Sequence, residues 1–308
     1  MKLLFTWKPP RGLDQIRRAI ADLEVVVSDD PAQIVKLIRD VEIACVGHWD
    51  AKMLRAAKKL RWVHAFSGGV NSVLFREFVA SPVPLTCLKG TFDIPAAEYA
   101  LGVMLAFSRR LEYDIRQRAS RSFREADPTE LYGKTVGIIG LGNMGGEIAK
   151  RCQCFGMTVI GMSRRPPRTE ITVDRWLAPK DLPKLLAESD YVVVAVPLTE
   201  GTEALIGKKE LARMKPGSYL IDVSGRPAIY DIDALTRALK ARKIAGASLQ
   251  IVPPKDSPLW DVENLFISFH RIVSREQYGR CIEMFCENLR RFGDGSPLLG
   301  LVDKKAGY

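Results

Sequence analysis

The sequence predicts an α/β fold with parallel sheets. Short apolar strands alternate with helical patterns along the chain, and a glycine-rich turn follows one of the strands. The 308 residues suggest about two domains, because roughly 150 residues are typical of one. Hydrophobic residues make up 47% and charged residues 27%, as in soluble globular proteins. This composition excludes disordered, collagen-like and coiled-coil proteins.

The first 95 residues predict βα units. Strands are expected at the N-terminus and at 23–27, 42–47 and 61–66, with helices at 31–40 and at 50–59. Asp50 is the expected N-cap of the second helix. From Ile94 to about Glu125 the pattern predicts one long helix, and Asp127-Pro128 ends it.

The pattern restarts strongly after this break. Six buried strands are expected, at 135–139, 158–162, 191–196, 218–223, 245–249 and 265–268. Helices are expected at 146–155 and from about 274 to 292. Strands separated by helices predict a second parallel sheet.

A GxGxxG motif follows the strand at 135–139. It consists of Gly140, Leu141, Gly142, Asn143, Met144 and Gly145, and it opens an amphipathic helix. Gly140 permits the tight turn, Gly142 lets the backbone approach a pyrophosphate, and Gly145 lets helix and strand pack closely. The motif predicts a dinucleotide site at the helix N-terminus.

The next strand is followed by Ser163, Arg164 and Arg165. An NAD site places Asp or Glu at this position, where the carboxylate bonds the ribose hydroxyls. Two guanidiniums and a hydroxyl would instead bind a 2′-phosphate. We therefore expect NADP(H) to be preferred, with NAD(H) possible. The alternative is a pair of arginines that simply face solvent.

The net charge of +10 fits an anionic substrate or a phosphorylated cofactor as well as a nucleic acid. No helix-turn-helix, zinc finger or aromatic stacking motif accompanies the basic stretch at 109–124, so no nucleic-acid partner is expected. No apolar run approaches the roughly 20 residues of a membrane span, so no membrane partner is expected either. The six cysteines form no CxxC pair and only three histidines are present, which argues against a metal site. Reduced thiols and the lack of a secretory signal predict a cytoplasmic protein.

Several segments, taken in order, resemble the D-isomer-specific 2-hydroxyacid dehydrogenase family, which includes glyoxylate/hydroxypyruvate reductases. The similar segments are 60–70, 98–101, 131–145, 196–199, 211–221, 256–260, His270 and 288–292. The resemblance implies two Rossmann-like domains with doubly wound sheets, the nucleotide-binding domain being inserted in a discontinuous substrate domain. The expected boundaries are 1–96 plus 290–308 for the substrate domain and 97–289 for the nucleotide domain. It also implies a homodimer, with a dimerisation arm at about 97–130.

In this family, hydride passes between a nicotinamide and C2 of a small 2-oxo acid. The resemblance implies that His270 is the general acid, that Arg226 binds the substrate carboxylate and carbonyl oxygen, and that a loop holds the carboxylate. That loop comprises Ser67, Gly68, Gly69 and Val70. Further cofactor contacts are implied for Val196, Pro197, Thr202, Val223, Ser224 and Gln250.

The chain departs from the family pattern at three places. At one of them, Gln250 stands where the family has an Asp that bonds the nicotinamide amide, and Gln can still donate and accept there. The family's Asn-Val-x-Arg-Gly corresponds here to Asp222-Val-Ser-Gly-Arg-Pro227, so the arginine position falls on Gly225, or on Arg226 if one residue is inserted. The second count is favoured, since a glycine can absorb an insertion as a bulge. The family's catalytic Glu is replaced by Pro253 or deleted. A 2-oxo-acid reductase is the leading hypothesis. The alternatives are hydride transfer to a different substrate and a non-catalytic nucleotide-binding protein.

Overall fold

The computed structural model describes residues 1–9, 11–123, 125, 127–269 and 272–308. It confirms an α/β fold with two parallel sheets. The chain divides into two compact units. Unit 1 contains Met1–Phe92 and Val273–Tyr308, and unit 2 contains Asp93–Ile272.

Unit 1 is built on a five-stranded parallel sheet. Its strands are β1 (Lys2–Phe5), β2 (Glu24–Val27), β3 (Ile43–Val46), β4 (Trp62–Ala65) and β5 (Leu85–Cys87), in the order β2-β1-β3-β4-β5. Its helices are α1 (Leu13–Arg17), α2 (Pro31–Leu37), α3 (Ala51–Ala56) and α4 (Arg76–Ala80). The expected cap is confirmed, because Asp50 Oδ1 accepts a hydrogen bond from the Met53 amide at 2.8 Å.

Unit 2 is built on a seven-stranded parallel sheet. Its strands are β6 (Thr135–Ile139), β7 (Thr158–Met162), β8 (Arg175–Leu177), β9 (Tyr191–Val194), β10 (Tyr219–Asp222), β11 (Gly246–Gln250) and β12 (Leu265–Ser268). The order is β12-β11-β10-β9-β6-β7-β8, so the chain reverses direction across the sheet between β6 and β9. In open α/β sheets, ligands bind at the carboxyl ends of the strands at such a reversal.

Helices α5 to α11 complete the fold. They are α5 (Asp93–Ser108), α6 (Leu111–Ser120), α7 (Asn143–Cys154), α8 (Leu182–Glu188), α9 (Lys208–Arg213), α10 (Ile232–Lys240) and α11 (Arg275–Asp294). Successive residues of a strand enter different apolar clusters. Ile138 and Val193 pack with α7, whereas Ile139 and Val194 pack with α8 and α10. Both faces of the sheet are therefore covered, which explains why these strands are continuously apolar. Among the described residues, no helix is long and apolar enough to cross a membrane.

The single helix expected over 94–125 is wrong. Two helices, α5 and α6, replace it, and Arg110 between them has φ 58°. A residue in the left-handed region cannot continue a right-handed helix. Arg121, with φ 50°, ends α6 in the same way. The three-residue strands β5 and β8 also go beyond the predicted elements.

Helix α11 is part of unit 1, whereas the sequence-based boundaries assign most of it to the nucleotide domain. Its side chains Ile282, Phe285, Cys286 and Leu289 are buried in one apolar cluster with residues of β1, β3 and β4. The helix therefore supplies one face of the core on which the sheet of unit 1 depends.

His64 is buried in that same unit. Its Nδ1 lies 2.8 Å from Thr86 Oγ1, which also accepts a hydrogen bond from Trp62 Nε1 at 2.8 Å. The ring packs against Phe285, with the ring centroids 4.7 Å apart. Burial lowers the pKa of His64 to about 3, so the imidazole is neutral in the folded protein at neutral pH.

This burial predicts a loss of stability in acid. Because the folded pKa lies below the unfolded value of about 6.5, the stabilisation is present above pH 6.5 and declines as pH falls toward 3. His64 alone should remove about 2 kcal/mol of unfolding free energy between pH 7 and pH 5. Denaturant unfolding of His64→Phe, which keeps an aromatic ring, should show a shallower dependence on pH. The exposed His48 provides the control, and His48→Asn should keep the wild-type dependence. Equal pH dependence in His64→Phe and wild type would contradict the assignment.

Candidate active site

The turn after β6 is shaped by glycine. Gly140 has φ 106°, and a Cβ there would lie 2.6 Å from the carbonyl oxygen of Ala195. Its amide donates to Met162 O at 2.8 Å. The turn is therefore anchored to the ends of both neighbouring strands, β7 and β9.

The two remaining glycines of the motif have different roles. Gly145 is buried in the first turn of α7, where a Cβ would overlap the carbonyl oxygen of Gly140. Gly142 is the N-cap of α7 and is exposed, and a Cβ there would meet nothing within 4 Å. One glycine brings the helix onto the turn, and the other leaves open space in front of it. The first amides of an α-helix have no partner within the helix, so this open space faces hydrogen-bond donors at the positive end of the helix dipole.

The sequence at the end of β7 forms a compact loop. Ser163 Oγ donates to the carbonyl oxygen of Arg165 at 2.6 Å and accepts from Trp176 Nε1 at 3.0 Å. Arg164 and Arg165 are exposed. The serine hydroxyl thus shapes the loop that carries these two exposed arginines. Trp176 lies on the three-residue strand β8, which the sequence pattern does not reveal.

Across the strand-order reversal, the loop after β9 is stabilised by a threonine. Thr202 Oγ1 donates to Pro197 O at 2.6 Å and accepts from the Thr199 amide at 2.8 Å. Val196 lies beside the glycine turn, since its Cγ1 would be 2.9 Å from a Cβ at Gly140. Val196, one of the cofactor candidates, therefore borders the turn after β6.

Asp222, at the end of β10, organises the next part of the site. It is fully buried, and its Oδ1 accepts from Ser224 N, Ser224 Oγ, Gly225 N and Tyr230 Oη at 2.6–3.3 Å. Its Oδ2 accepts from the Gln250 amide at 3.2 Å. Burial, together with the carboxylate, raises the pKa of Tyr230 well above its usual value, so the phenol stays a donor. The sequence analysis did not name Asp222 as a site residue. An acidic residue at the end of a buried strand is the sequence feature that could have indicated it.

Gly225 directly precedes Arg226, the residue favoured as the family's arginine. It has φ 62°, a conformation that favours glycine, and Arg226 follows with an extended backbone. Arg226 N donates to Ser224 Oγ at 3.3 Å. The assignment of the family's arginine to Arg226 stays a prediction.

Gln250 is buried at the end of β11, and its Nε2 has no hydrogen-bond partner within the described part of the chain. A buried amide donor without a partner is costly, so the position fits a ligand that supplies an acceptor. The carboxamide of a nicotinamide is such a group. Together with the open space before α7, Gln250 shows that the residues present fit a nicotinamide dinucleotide.

The loop Ser67–Val70 belongs to unit 1 and follows β4. Ser67 Oγ donates to Gly69 O at 2.6 Å, and Ser67 O accepts from the Leu88 amide at 3.0 Å. Gly68 packs so closely against the ring of Phe92 that a Cβ would lie 2.9 Å from Cδ2. The loop is thus held in one conformation by its own side chains and by Phe92.

His270, the expected general acid, lies outside the described residues. Among the side chains that are described, no three of His, Cys, Asp and Glu are grouped to hold a metal ion.

The structure brings the unit 2 candidates together at one edge of the sheet. The glycine turn, the Ser163 loop, Val196 and Ser224 follow β6, β7, β9 and β10, and Gln250 is the last residue of β11. These are neighbouring parallel strands in the order β11-β10-β9-β6-β7. A GxGxxG turn at the reversal of such a sheet defines the class of nicotinamide dinucleotide-binding proteins.

Comparisons with known proteins identify the family. Residues 101–271 match the model of the D-isomer specific 2-hydroxyacid dehydrogenase, NAD binding domain. A glyoxylate reductase of Korarchaeum cryptofilum is 32% identical over 96% of this chain and 94% of its own length. A glyoxylate reductase of Thermococcus gammatolerans is 31% identical with the same coverage. The structure of a D-isomer specific 2-hydroxyacid dehydrogenase from Xanthobacter autotrophicus, in complex with NADPH and MES, has a TM-score of 0.82, 26% identity, and coverage of 100% and 99% of the two chains.

The chain belongs to the D-isomer specific 2-hydroxyacid dehydrogenase family. It is a pyridine-nucleotide oxidoreductase that acts on 2-hydroxy or 2-oxo acids.

The glycine geometry predicts opposite outcomes for two alanine substitutions. Gly142→Ala should fold with an unfolding free energy within about 1 kcal/mol of wild type, because its Cβ enters open space. It should bind nucleotide at least about tenfold more weakly, since the diphosphate is expected to occupy that space. Gly145→Ala should lose more than about 2 kcal/mol of stability, because the Cβ overlaps Gly140 O. Denaturant unfolding and titration of bound-NADPH fluorescence measure the two effects. Unchanged NADPH affinity in Gly142→Ala would place the diphosphate elsewhere.

Proposed function

We propose that the protein is an NADP(H)-preferring reductase that converts a small 2-oxo acid to the 2-hydroxy acid. The observation that carries the cofactor preference is the loop after β7. Residues 163–169 contain Arg164, Arg165 and Arg168 and no carboxylate. A carboxylate here would repel a 2′-phosphate, whereas guanidiniums form strong, often bidentate hydrogen bonds to it. The relatives named glyoxylate reductase support the small-acid substrate.

The cofactor, when bound, supplies the hydride. The protein then has three tasks: holding the carboxylate, stabilising the negative charge that develops on the carbonyl oxygen, and donating a proton. In this proposal Arg226 and the loop Ser67–Val70 bind the carboxylate, and Arg226 also polarises the carbonyl. His270 donates the proton to the resulting alkoxide.

The proton donor lacks the family's partner carboxylate. Pro253 or a deletion occupies the position of the Glu, and without that Glu a histidine is protonated less readily. This departure favours a second candidate function, hydride transfer to a different acceptor, such as another carbonyl compound or an imine. If no 2-oxo acid is reduced although NADPH binds tightly, the protein is assigned to this candidate function or to non-catalytic nucleotide binding.

The apolar side chains of α6 support the homodimer. Leu111 is 46% exposed, Ile115 is 68% exposed, and Phe123 just beyond the helix is 88% exposed. Leu111 and Ile115 are four residues apart and so share one face of α6, which we propose as a surface that the second subunit covers. Sedimentation equilibrium would show a stable monomer if this proposal is wrong.

We expect NADPH oxidation with at least one of glyoxylate, hydroxypyruvate, pyruvate and phenylpyruvate. Its kcat/KM for NADPH should exceed that for NADH about tenfold or more, because the 2′-phosphate gains charge-assisted hydrogen bonds. The double variant Arg164→Gln/Arg165→Gln should remove most of the preference by weakening NADPH alone. The double variant Arg237→Gln/Lys240→Gln, which changes two exposed basic residues in the last turn of α10, is the charge-matched control. Equal efficiency with NADH and NADPH in the wild type would refute the preference.

Replacing the proposed acid should separate chemistry from binding. His270→Asn should lower kcat by about 10²–10⁴-fold, the usual contribution of general acid–base catalysis, and leave the Kd of NADPH nearly unchanged. Stopped-flow turnover and fluorescence titration measure the two quantities. His48→Asn is the matched control, since that histidine is exposed. Wild-type turnover in His270→Asn would exclude the histidine as the acid.

A further inference from the structure

We propose that Arg168 binds the diphosphate of the dinucleotide, as a cation supplied to the glycine turn from the loop after β7. The inference rests on the nicotinamide-nucleotide site and on the proposed role of Arg164 and Arg165. In this inference the three arginines of one loop have two functions. Arg164 and Arg165 bind the 2′-phosphate, which only NADPH has, and Arg168 binds the diphosphate, which NADH and NADPH share.

The first observation is a hydrogen bond between the two loops. Arg168 Nη2 donates to Oδ1 of Asn143 at 2.6 Å. Asn143 is the first residue of α7 and lies within the GxGxxG motif. The guanidinium therefore lies beside the first turn of the helix that the diphosphate is expected to approach.

The second observation is that the backbone carrying Arg168 is packed onto the same turn. The Ile171 amide donates to Arg168 O at 2.9 Å, which closes a tight turn. Ile171 covers Gly146 so closely that a Cβ there would lie 2.9 Å from Ile171 Cδ1. A glycine at 146 thus allows residues 168–171 to lie against α7, and this contact fixes where the arginine emerges.

The electrostatics of this position favour an anionic ligand. A cation beside a helix N-terminus faces the positive end of the helix dipole, so Arg168 does not stabilise α7 through that dipole. Asn143, its hydrogen-bond partner, is neutral and uses one of the five guanidinium N–H donors. Glu147, one turn further along α7, forms an ion pair with Arg151. Arg168 and the first amides of α7 thus both place positive charge at the N-terminal end of this helix.

Asp93, in α5, is an acidic side chain that interacts with both Asn143 and Arg168. Burial is the main cause that raises the pKa of Asp93 to about 6, with Glu147 raising it further, whereas the hydrogen bond from Asn143 and the charge of Arg168 lower it. Asn143 thus links Asp93 and Arg168. The asparagine holds the guanidinium at the turn, and a diphosphate would meet donors already arranged by protein contacts.

The test compares dissociation constants of NADPH, NADH and ADP-ribose for the full-length protein and two variants, Arg168→Gln and Arg164→Gln. Arg168→Gln should weaken NADPH, NADH and ADP-ribose by the same factor, about tenfold or more, because all three contain the diphosphate. The NADPH/NADH affinity ratio should stay at the wild-type value. Arg164→Gln should weaken NADPH alone and so change that ratio. Arg168→Lys should recover part of the affinity, since it keeps the charge.

The outcomes separate this inference from the proposed function. Unchanged NADH and ADP-ribose affinity in Arg168→Gln, at an unchanged Tm, would overturn it. Loss of NADPH affinity alone would assign Arg168 to the 2′-phosphate and would also overturn the inference. A wild-type protein that binds none of the three ligands would overturn it too. A parallel loss for all three, in a protein that reduces no 2-oxo acid, would support this inference and refute the proposed function.

Discussion

The close approach of α7 to the turn after β6 is the constraint on which the rest of the site depends. There is no room for a side chain between Gly145 and the carbonyl oxygen of Gly140, so the helix starts directly at the strand end. This contact places the helix amides at the carboxyl edge of the sheet, where the loops after β7 and β9 also end. The reversal of strand order between β6 and β9 then leaves a crevice at that edge. The close packing of the helix on the turn, rather than any functional side chain, therefore forms the cofactor site.

A second constraint operates at the end of β10. Asp222 is a buried carboxylate whose charge is balanced by five hydrogen bonds from neutral N–H and O–H groups. Such charge-assisted bonds are individually strong, and together they offset the cost of burial. They also join the Ser224–Arg226 loop, Tyr230 and the end of β11 into one assembly. The backbone of the arginine proposed to hold the substrate is thus linked to Asp222 through the hydroxyl of Ser224.

Local patterns predicted much of this molecule, and non-local contacts account for the rest. The GxGxxG turn and the long apolar strands were predictable because periodicity and glycine spacing are local signals. The break at Arg110 was not, since arginine is rarely left-handed and nothing in the pattern marks it. β5 and β8 have three residues each, too few for a pattern. The place of α11 depends on contacts with strands more than 200 residues earlier in the chain. The hydroxyl of Ser163 turns toward the backbone of Arg165 because Trp176, from another strand, bonds it.

The discontinuity of unit 1 has a consequence for how the protein is made. Its sheet is complete once residue 92 has been synthesised, but α11, which covers one face, starts at residue 275. At about 5–20 residues per second, the ribosome needs roughly 10–40 s to reach that helix. During this interval unit 2 is synthesised, and Phe5, Ile43 and Trp62 lack the apolar partners that α11 supplies. The first strands to emerge are therefore among the last to be buried, and for that period the nascent chain exposes an unprotected apolar face to chaperones and to aggregation.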